Sequence, residues 1–316
     1  ESVALKLFTG IEKFEIMAIP FFILAGNFLT HGGVAKRMIN FATSMVGHWY
    51  GGLGLAGVLA CALFAAVSGS SPATVVAIGS ILLPAMVKAG FPNKFGAGVI
   101  STSGALGILI PPSIVMVMYS VATNTSVGAL FMAGVLPGIA LAMTLGGVTW
   151  YRARKFGYPR QPKASWGERW DSFRKSVWGL LLIVVVMGGI YTGIFTPTEA
   201  AAMSAVYAFI CAVFIYRDMG LRDVPKVLLN SANMSAMLLY IITNAVLFSF
   251  IMTNENIPQA LADWMLGNGL GMIAFLLAVN VLLLLAGNFM EPSSIVLIFA
   301  PILFPVAMKL GIDPVH

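Results

Sequence analysis

Six stretches of the chain stay apolar over a membrane-crossing length, near 14–30, 95–123, 126–150, 176–196, 198–216 and 231–253, each bounded by glycine, proline or charge. About 17 to 25 apolar residues in a helix cross the ~30 Å hydrocarbon core of a bilayer. The pattern predicts six full helical spans. The alternating segments that a transmembrane barrel requires do not occur.

Two further regions, 50–90 and 270–309, are equally apolar but broken near the middle by small, polar, proline-containing knots. These are Ser68-Gly69-Ser70-Ser71-Pro72-Ala73-Thr74 and Gly287-Asn288-Phe289-Met290-Glu291-Pro292-Ser293-Ser294. Proline removes a backbone donor and glycine weakens a helix, so neither knot suits a continuous span. Each region is predicted to be a re-entrant helical hairpin whose tip lies inside the membrane. Irregular backbone survives there only when buried in protein or lining a wet cavity.

The two hairpins carry a repeat. ILLPAMVKAGFP at 81–92 matches ILFPVAMKLGIDP at 302–314, with Pro84, Lys88 and Gly90 facing Pro305, Lys309 and Gly311 at a constant offset. Upstream, Phe28-Leu29-Thr30 faces Ile251-Met252-Thr253, and amphipathic stretches follow at 32–46 and 255–266. Five spans lie between the copies, so the second enters the bilayer inverted, the arrangement of many secondary transporters. The predicted fold is an all-α polytopic membrane protein with an inverted repeat, two re-entrant hairpins and broken transmembrane helices. Its parts are a first repeat at 1–150, a basic loop at 151–175, scaffold spans with an amphipathic connection at 176–230, and a second repeat at 231–316. The natural protein is expected to continue at both ends.

Only 9% of the 316 residues are charged and 59% are hydrophobic, whereas soluble domains carry about 25% charged residues. The net charge of +6 does not point to nucleic acid, because the basic residues cluster between apolar runs. Eight of the 18 fall in 151–175, which places that loop in the cytoplasm by the positive-inside rule. Cys61 and Cys211 lie in apolar helices with no CxxC or Cys/His grouping and read as buried thiols. No signal peptide is recognisable at the start. His31, His48 and His316 are scattered and no hydrolase, Walker or dinucleotide motif has its context, so an enzyme is a distant alternative.

Candidate chemistry sits in the knots. Ser68, Ser70, Ser71 and Thr74 crowd hydroxyls and carbonyls into one turn, hard donors without fixed charge that suit a monovalent cation; close packing through small residues is the other reading. The run Ser101-Thr102-Ser103-Gly104-Ala105-Leu106-Gly107-Ile108-Leu109-Ile110-Pro111-Pro112-Ser113 lies mid-span. A residue preceding proline is pushed out of the α region, so Pro111 before Pro112 breaks the helix. Carbonyls of Gly104 or Gly107 could then complete an ion cage; a simple kink is the alternative. Glu291 is expensive inside hydrocarbon and has three readings: ion or gate residue, cap of the next half-helix with Ser293 and Ser294, or interface residue. Glu199, after Thr196-Pro197-Thr198, reads as a structural acid at a helix start.

Together FFILAGNFLTHGG (21–33), SGSSPATVVAIGSILLPAM (68–86), TSGALGILIPPS (102–113), FTPTEAAA (195–202) and NFMEPSSIVLIFAPILFPVA (288–307) resemble the DctM-type large membrane subunit of tripartite ATP-independent periplasmic transporters over essentially the whole chain. The resemblance implies a sodium-driven, elevator-type carrier in the bacterial cytoplasmic membrane. Its partners would be a small four-helix membrane subunit, a periplasmic substrate-binding protein and membrane lipid. Its cargo would be a small organic anion such as a C4-dicarboxylate, sugar acid or sialic acid. Carried over by position, Ser68, Ser70, Ser71, Gly104 and Gly107 form one sodium site. Thr74, Thr102, Ser103, Pro111, Pro112, Asn288, Glu291, Ser293 and Ser294 are the substrate candidates. The second broken span, with its own proline pair, is missing from this chain. A stand-alone divalent-anion symporter of the same superfamily and a channel or membrane scaffold are the competing readings.

Overall fold

A computed structural model describes residues 12–267 and 271–316; the first eleven residues of the first repeat and residue 270 of the second interrupted region lie outside the described residues. Among the described residues the chain is helical and without strands. In chain order the helices are α1 (Ala18–His31), α2 (Val34–Val46), α3 (Gly52–Ser68), α4 (Ser71–Lys88), α5 (Asn93–Gly104), α6 (Leu106–Leu109) and α7 (Ile114–Thr123). They continue with α8 (Val127–Phe156), α9 (Trp166–Tyr191), α10 (Pro197–Ile210), α11 (Val224–Asn254), α12 (Ile257–Gly267), α13 (Met272–Ala286) and α14 (Pro292–Lys309). Seven helical segments among the described residues are long and apolar enough to cross a membrane, or eight if the bent pair 93–109 and 114–123 counts as one broken span. The protein is a polytopic membrane protein.

Both interrupted regions fold as helical hairpins, α3–α4 and α13–α14, turning at the two knots. The segment 151–175 is less of a loop than its charge suggests. Helix α8 carries on to Phe156 and α9 starts at Trp166, leaving 157–165 non-helical. A capping box starts α9: Glu168 N donates to Ser165 Oγ at 3.2 Å and Ser165 N to Glu168 Oε2 at 2.6 Å. Thr196 and Glu199 form the same box at the start of α10, with Thr196 N donating to Glu199 Oε2 at 2.8 Å.

Two compact units arise by contact. One comprises 18–114 and 134–232, the other the described residues of 1–17 with 115–133 and 233–316. These boundaries follow packing, whereas the repeat boundaries concern internal similarity.

In the first unit α1 lies against α10. Small residues permit the close approach: Ala201, Ser204, Ala205 and Ala208 are buried, and a Cβ on Gly32 would sit 2.9 Å from Ala212 Cα. Phe28 and Phe209 meet edge-on at 5.5 Å. Asn27 Nδ2 donates to Ser231 Oγ at 2.7 Å, tying α1 to α11. Hairpin α3–α4 is close-set for the same reason, with Gly57 leaving room for Leu82. Val58, Ala65, Val99 and Leu106 form a core joining α3 to α5 and α6, and Phe95, Ile110 and Leu141 pack around it. Cys61 and Cys211 are buried and free.

In the second unit, Phe275, Val306 and Ile312 form a small core of the α13–α14 hairpin. Lys309 Nζ donates to Asp263 Oδ1 at 3.0 Å, linking α14 to α12. Lys13 donates to Val121 O and to Asn124 Oδ1, both at 2.6 Å, and so closes the carbonyl end of α7. Burial pushes this ammonium below its ordinary pKa.

Candidate functional site

The first tip is a tight turn. Helix α3 ends on Ser68, Gly69 takes the left-handed conformation at φ +62°, Ser70 is extended, and α4 begins at Ser71 with Pro72 in its first turn. Ser68 Oγ and Thr74 Oγ1 are 3.0 Å apart. Thr74 donates to Ser70 O twice, from its hydroxyl at 2.8 Å and its amide at 3.1 Å. Ser68 and Thr74 are 1% and 0% exposed, so a knot of neutral oxygens is held inside apolar packing. The last carbonyls of α3 have no acceptor role left within their own helix; among the described residues Ala65 O is taken up locally, by Gly69 N at 2.9 Å.

The broken span supplies the seat for this turn. Helix α5 ends at Gly104, α6 occupies a single turn, and the chain is extended at Ile110 before Pro111-Pro112, whose peptide is cis. Ile114 N donates to Gly69 O at 3.0 Å. A Cβ on Gly69 would come within 2.8 Å of Pro112 O, and one on Gly107 within 2.8 Å of Ser70 C and 2.9 Å of Ser71 N. Gly104 faces Val75 and lies 3.6 Å, by the same measure, from Ser71 O. From α1, Gly26 backs the Ser68 carbonyl, where an added Cβ would sit 3.3 Å from the oxygen. Peptide groups therefore meet peptide groups, an approach that only glycine permits.

The structure thus brings Ser68, Ser70, Ser71 and Thr74 together with Gly104, Gly107 and the Pro111-Pro112 segment. Ser103 is fully buried, and its Oγ has no hydrogen-bond partner among the described residues. Thr102 is exposed, and its hydroxyl donates to Gly98 O at 2.8 Å and Val99 O at 3.2 Å in its own helix. Sequence reasoning passed over Gly26 and Gly69 as site residues; the placing of Gly69 between two serines of a predicted turn was the available signal.

The second tip is built differently. Asn288 and Phe289 are exposed, and Asn288 Nδ2 donates back to Leu284 O at 2.7 Å. Glu291 caps α14: its Oε2 accepts from Ser293 N at 2.9 Å and Ser294 N at 3.4 Å, and its Oε1 accepts from Ser293 Oγ at 2.9 Å. Of its three readings, the helix cap is present in the geometry. Asn288 stands apart from that cluster.

Chemically, the first tip offers hydroxyl and carbonyl oxygens and no formal charge. Among the described residues no three His, Cys, Asp or Glu side chains group together, so no carboxylate cage of the kind divalent cations prefer is present there. Neutral oxygens beside helix termini suit a monovalent cation or an anion at amide groups.

A family model described as tripartite ATP-independent periplasmic transporter, DctM component, matches residues 1–316. The chain is 76% identical over 330 residues to the C4-dicarboxylate TRAP transporter large permease protein DctM of Rhodobacter capsulatus, covering 100% of this chain and 75% of that protein. It is 57% identical over 315 residues to the protein of the same name from Pseudomonas aeruginosa, covering 100% and 74%. It is 37% identical over 313 residues to the sialic acid TRAP transporter large permease protein SiaM of Vibrio cholerae, covering 99% and 73%.

Proposed function

The chain belongs to the DctM-component family of tripartite ATP-independent periplasmic transporters, and from that premise we propose that it is the membrane transport subunit of a sodium-coupled importer of C4-dicarboxylates. It works in the bacterial inner membrane with a small four-helix membrane subunit and a periplasmic binding protein that delivers the cargo. The C4-dicarboxylate assignment is supported by graded similarity: both relatives named for that cargo are more similar to this chain than the sialic acid permease.

One observation carries the mechanism. A turn of hydroxyls and carbonyls, with Ser68 and Thr74 buried and Ser70 half-buried, is seated against the glycine gaps of a broken span (Gly104, Gly107). Sodium binds the oxygens at this junction, and the unpartnered Ser103 hydroxyl supplies a further donor within the buried shell. Dicarboxylate binds next to it, held by half-helix N-termini and hydroxyls. Because peptide groups form much of the site, ion and cargo stabilise one conformation of the hairpin only while both are present, which couples their movement in an elevator-type cycle.

The test is uptake of radiolabelled succinate by the full complex in proteoliposomes, with its binding protein outside. Import driven by an inward sodium gradient, and its collapse when sodium is equal across the membrane, is the expected outcome. Equal import without the gradient removes the coupling.

A further inference from the structure

Helix α9 is longer than a bilayer needs. Its 26 residues extend about 39 Å at ~1.5 Å per residue, against ~30 Å of hydrocarbon. With its apolar run from 176 onward in the hydrocarbon, the first turns, 166–175, which carry Arg169, Arg174 and Lys175, fall at headgroup level. Trp166 and Trp170 in the same turns are 84% and 67% exposed, as interfacial aromatics are.

Two recesses open on this stretch and share Arg174. One, of about 390 Å³, is lined by Trp170, Phe173, Arg174 and Val177 and is apolar apart from the guanidinium. The other, of about 370 Å³, is lined by Arg37, Asp171, Arg174, Lys175, Trp178 and Tyr216 among others. Residues 170, 173, 174, 177 and 178 are one helical stripe, so a single face of α9 walls both.

The charges in the basic recess are unequal. Lys175 pairs with Asp171 at 2.5 Å, and Arg37 pairs with Asp218 while its guanidinium carbon lies 3.9 Å from the centre of the Tyr216 ring. Three cations thus face two carboxylates, and of these three Arg174 is the one without an ion pair or hydrogen bond among the described residues.

We propose that these paired recesses bind one anionic glycerophospholipid, its phosphate against Arg174 in the basic recess and an acyl chain along Trp170, Phe173 and Val177. The charge excess calls for an anion. The apolar groove beside it calls for a hydrocarbon chain, and headgroup depth is where a lipid offers both. The inference does not depend on which solute is transported.

The test places the full-length protein, in its complex, in nanodiscs of equal phosphatidylglycerol and phosphatidylcholine and counts retained lipids by native mass spectrometry. Phosphatidylglycerol is expected to be enriched, and Arg174→Gln to cut that enrichment about fivefold, the equivalent of one basic residue near a membrane surface. Lys163→Gln, an exposed basic site outside the recesses, is expected to change nothing. Equal retention of both lipids, or unchanged enrichment in Arg174→Gln, overturns the proposal. Displacement by millimolar inorganic phosphate alone, or a photo-crosslinker at position 170 that captures a protein chain in place of lipid, overturns it as well.

Discussion

The second helices of the two hairpins are alike, and their tips are not. Helices α4 and α14 each have 18 residues, with Pro84 and Pro305 inside them, Lys88 and Lys309 at their ends, and a left-handed glycine two residues on, Gly90 at φ +97° and Gly311 at φ +74°. At the start of α4 the cap position holds Ser70, which makes no side-chain capping bond. At the start of α14 Glu291 covers the amides of Ser293 and Ser294. One tip keeps its helix start open and is seated on a neighbouring backbone; the other closes its helix start with its own carboxylate. Similar hairpins therefore end in chemically different tips, one with its peptide groups uncapped and one with a fixed local charge.

The largest effect is expected from filling the seat of the first tip. Gly107→Val places carbon where the Ser70 and Ser71 peptide now lies, and uptake should fall by ~100-fold or more, the scale expected for an ångström-sized displacement at a site. The protein should still insert and be recovered from membranes. Normal uptake in this variant would show that the close contact between tip and broken span is dispensable.

Removing single oxygens comes next. Ser68→Ala and Ser103→Ala should each raise the sodium concentration for half-maximal uptake about tenfold, equivalent to ~1.4 kcal/mol of lost ion binding. A sodium titration at saturating succinate reads this directly. If the curve for Ser103→Ala overlays the wild type, its unpartnered hydroxyl is no ligand.

At the second tip the prediction separates cap from ligand. Glu291→Ala should lower stability by about 1 kcal/mol through the lost cap, seen as a fall in the thermal midpoint. Glu291→Gln retains acceptor oxygen and should keep most uptake. A stable Glu291→Gln protein that no longer transports would instead make the charge itself functional. The smallest change is expected for Thr102→Val, since that hydroxyl is already bonded to Gly98 and Val99 of its own helix; uptake within about twofold is the outcome, under ~0.5 kcal/mol.

Much of this was legible in the chain itself. Serine, glycine and proline inside otherwise apolar runs marked both turns and the break after Leu109, because those residues carry their backbone preferences wherever they sit. The start of α9 was misjudged because the charge of 151–175 outweighed a short-range signal: Ser165 followed three residues later by Glu168 is a capping box, and it begins the helix ten residues before the apolar run at 176. The role of Glu291 stayed open because an acid before proline and two serines fits a cap and a ligand equally until the distances are known. The compact units were beyond reach of a linear reading, since they join segments as distant as 12–17 and 233–316, and packing of that kind leaves no periodicity to read.

The mount beneath the first tip has an evolutionary corollary. Gly26, Gly69 and Gly107 clear space for main chain, whose peptide groups are the same whatever side chains surround them. On the proposed reading, exchanging the hydroxyls at 68 and 74 would retune ion preference while the peptide seat under them stays fixed, so a lineage could change what it carries without relearning how to carry.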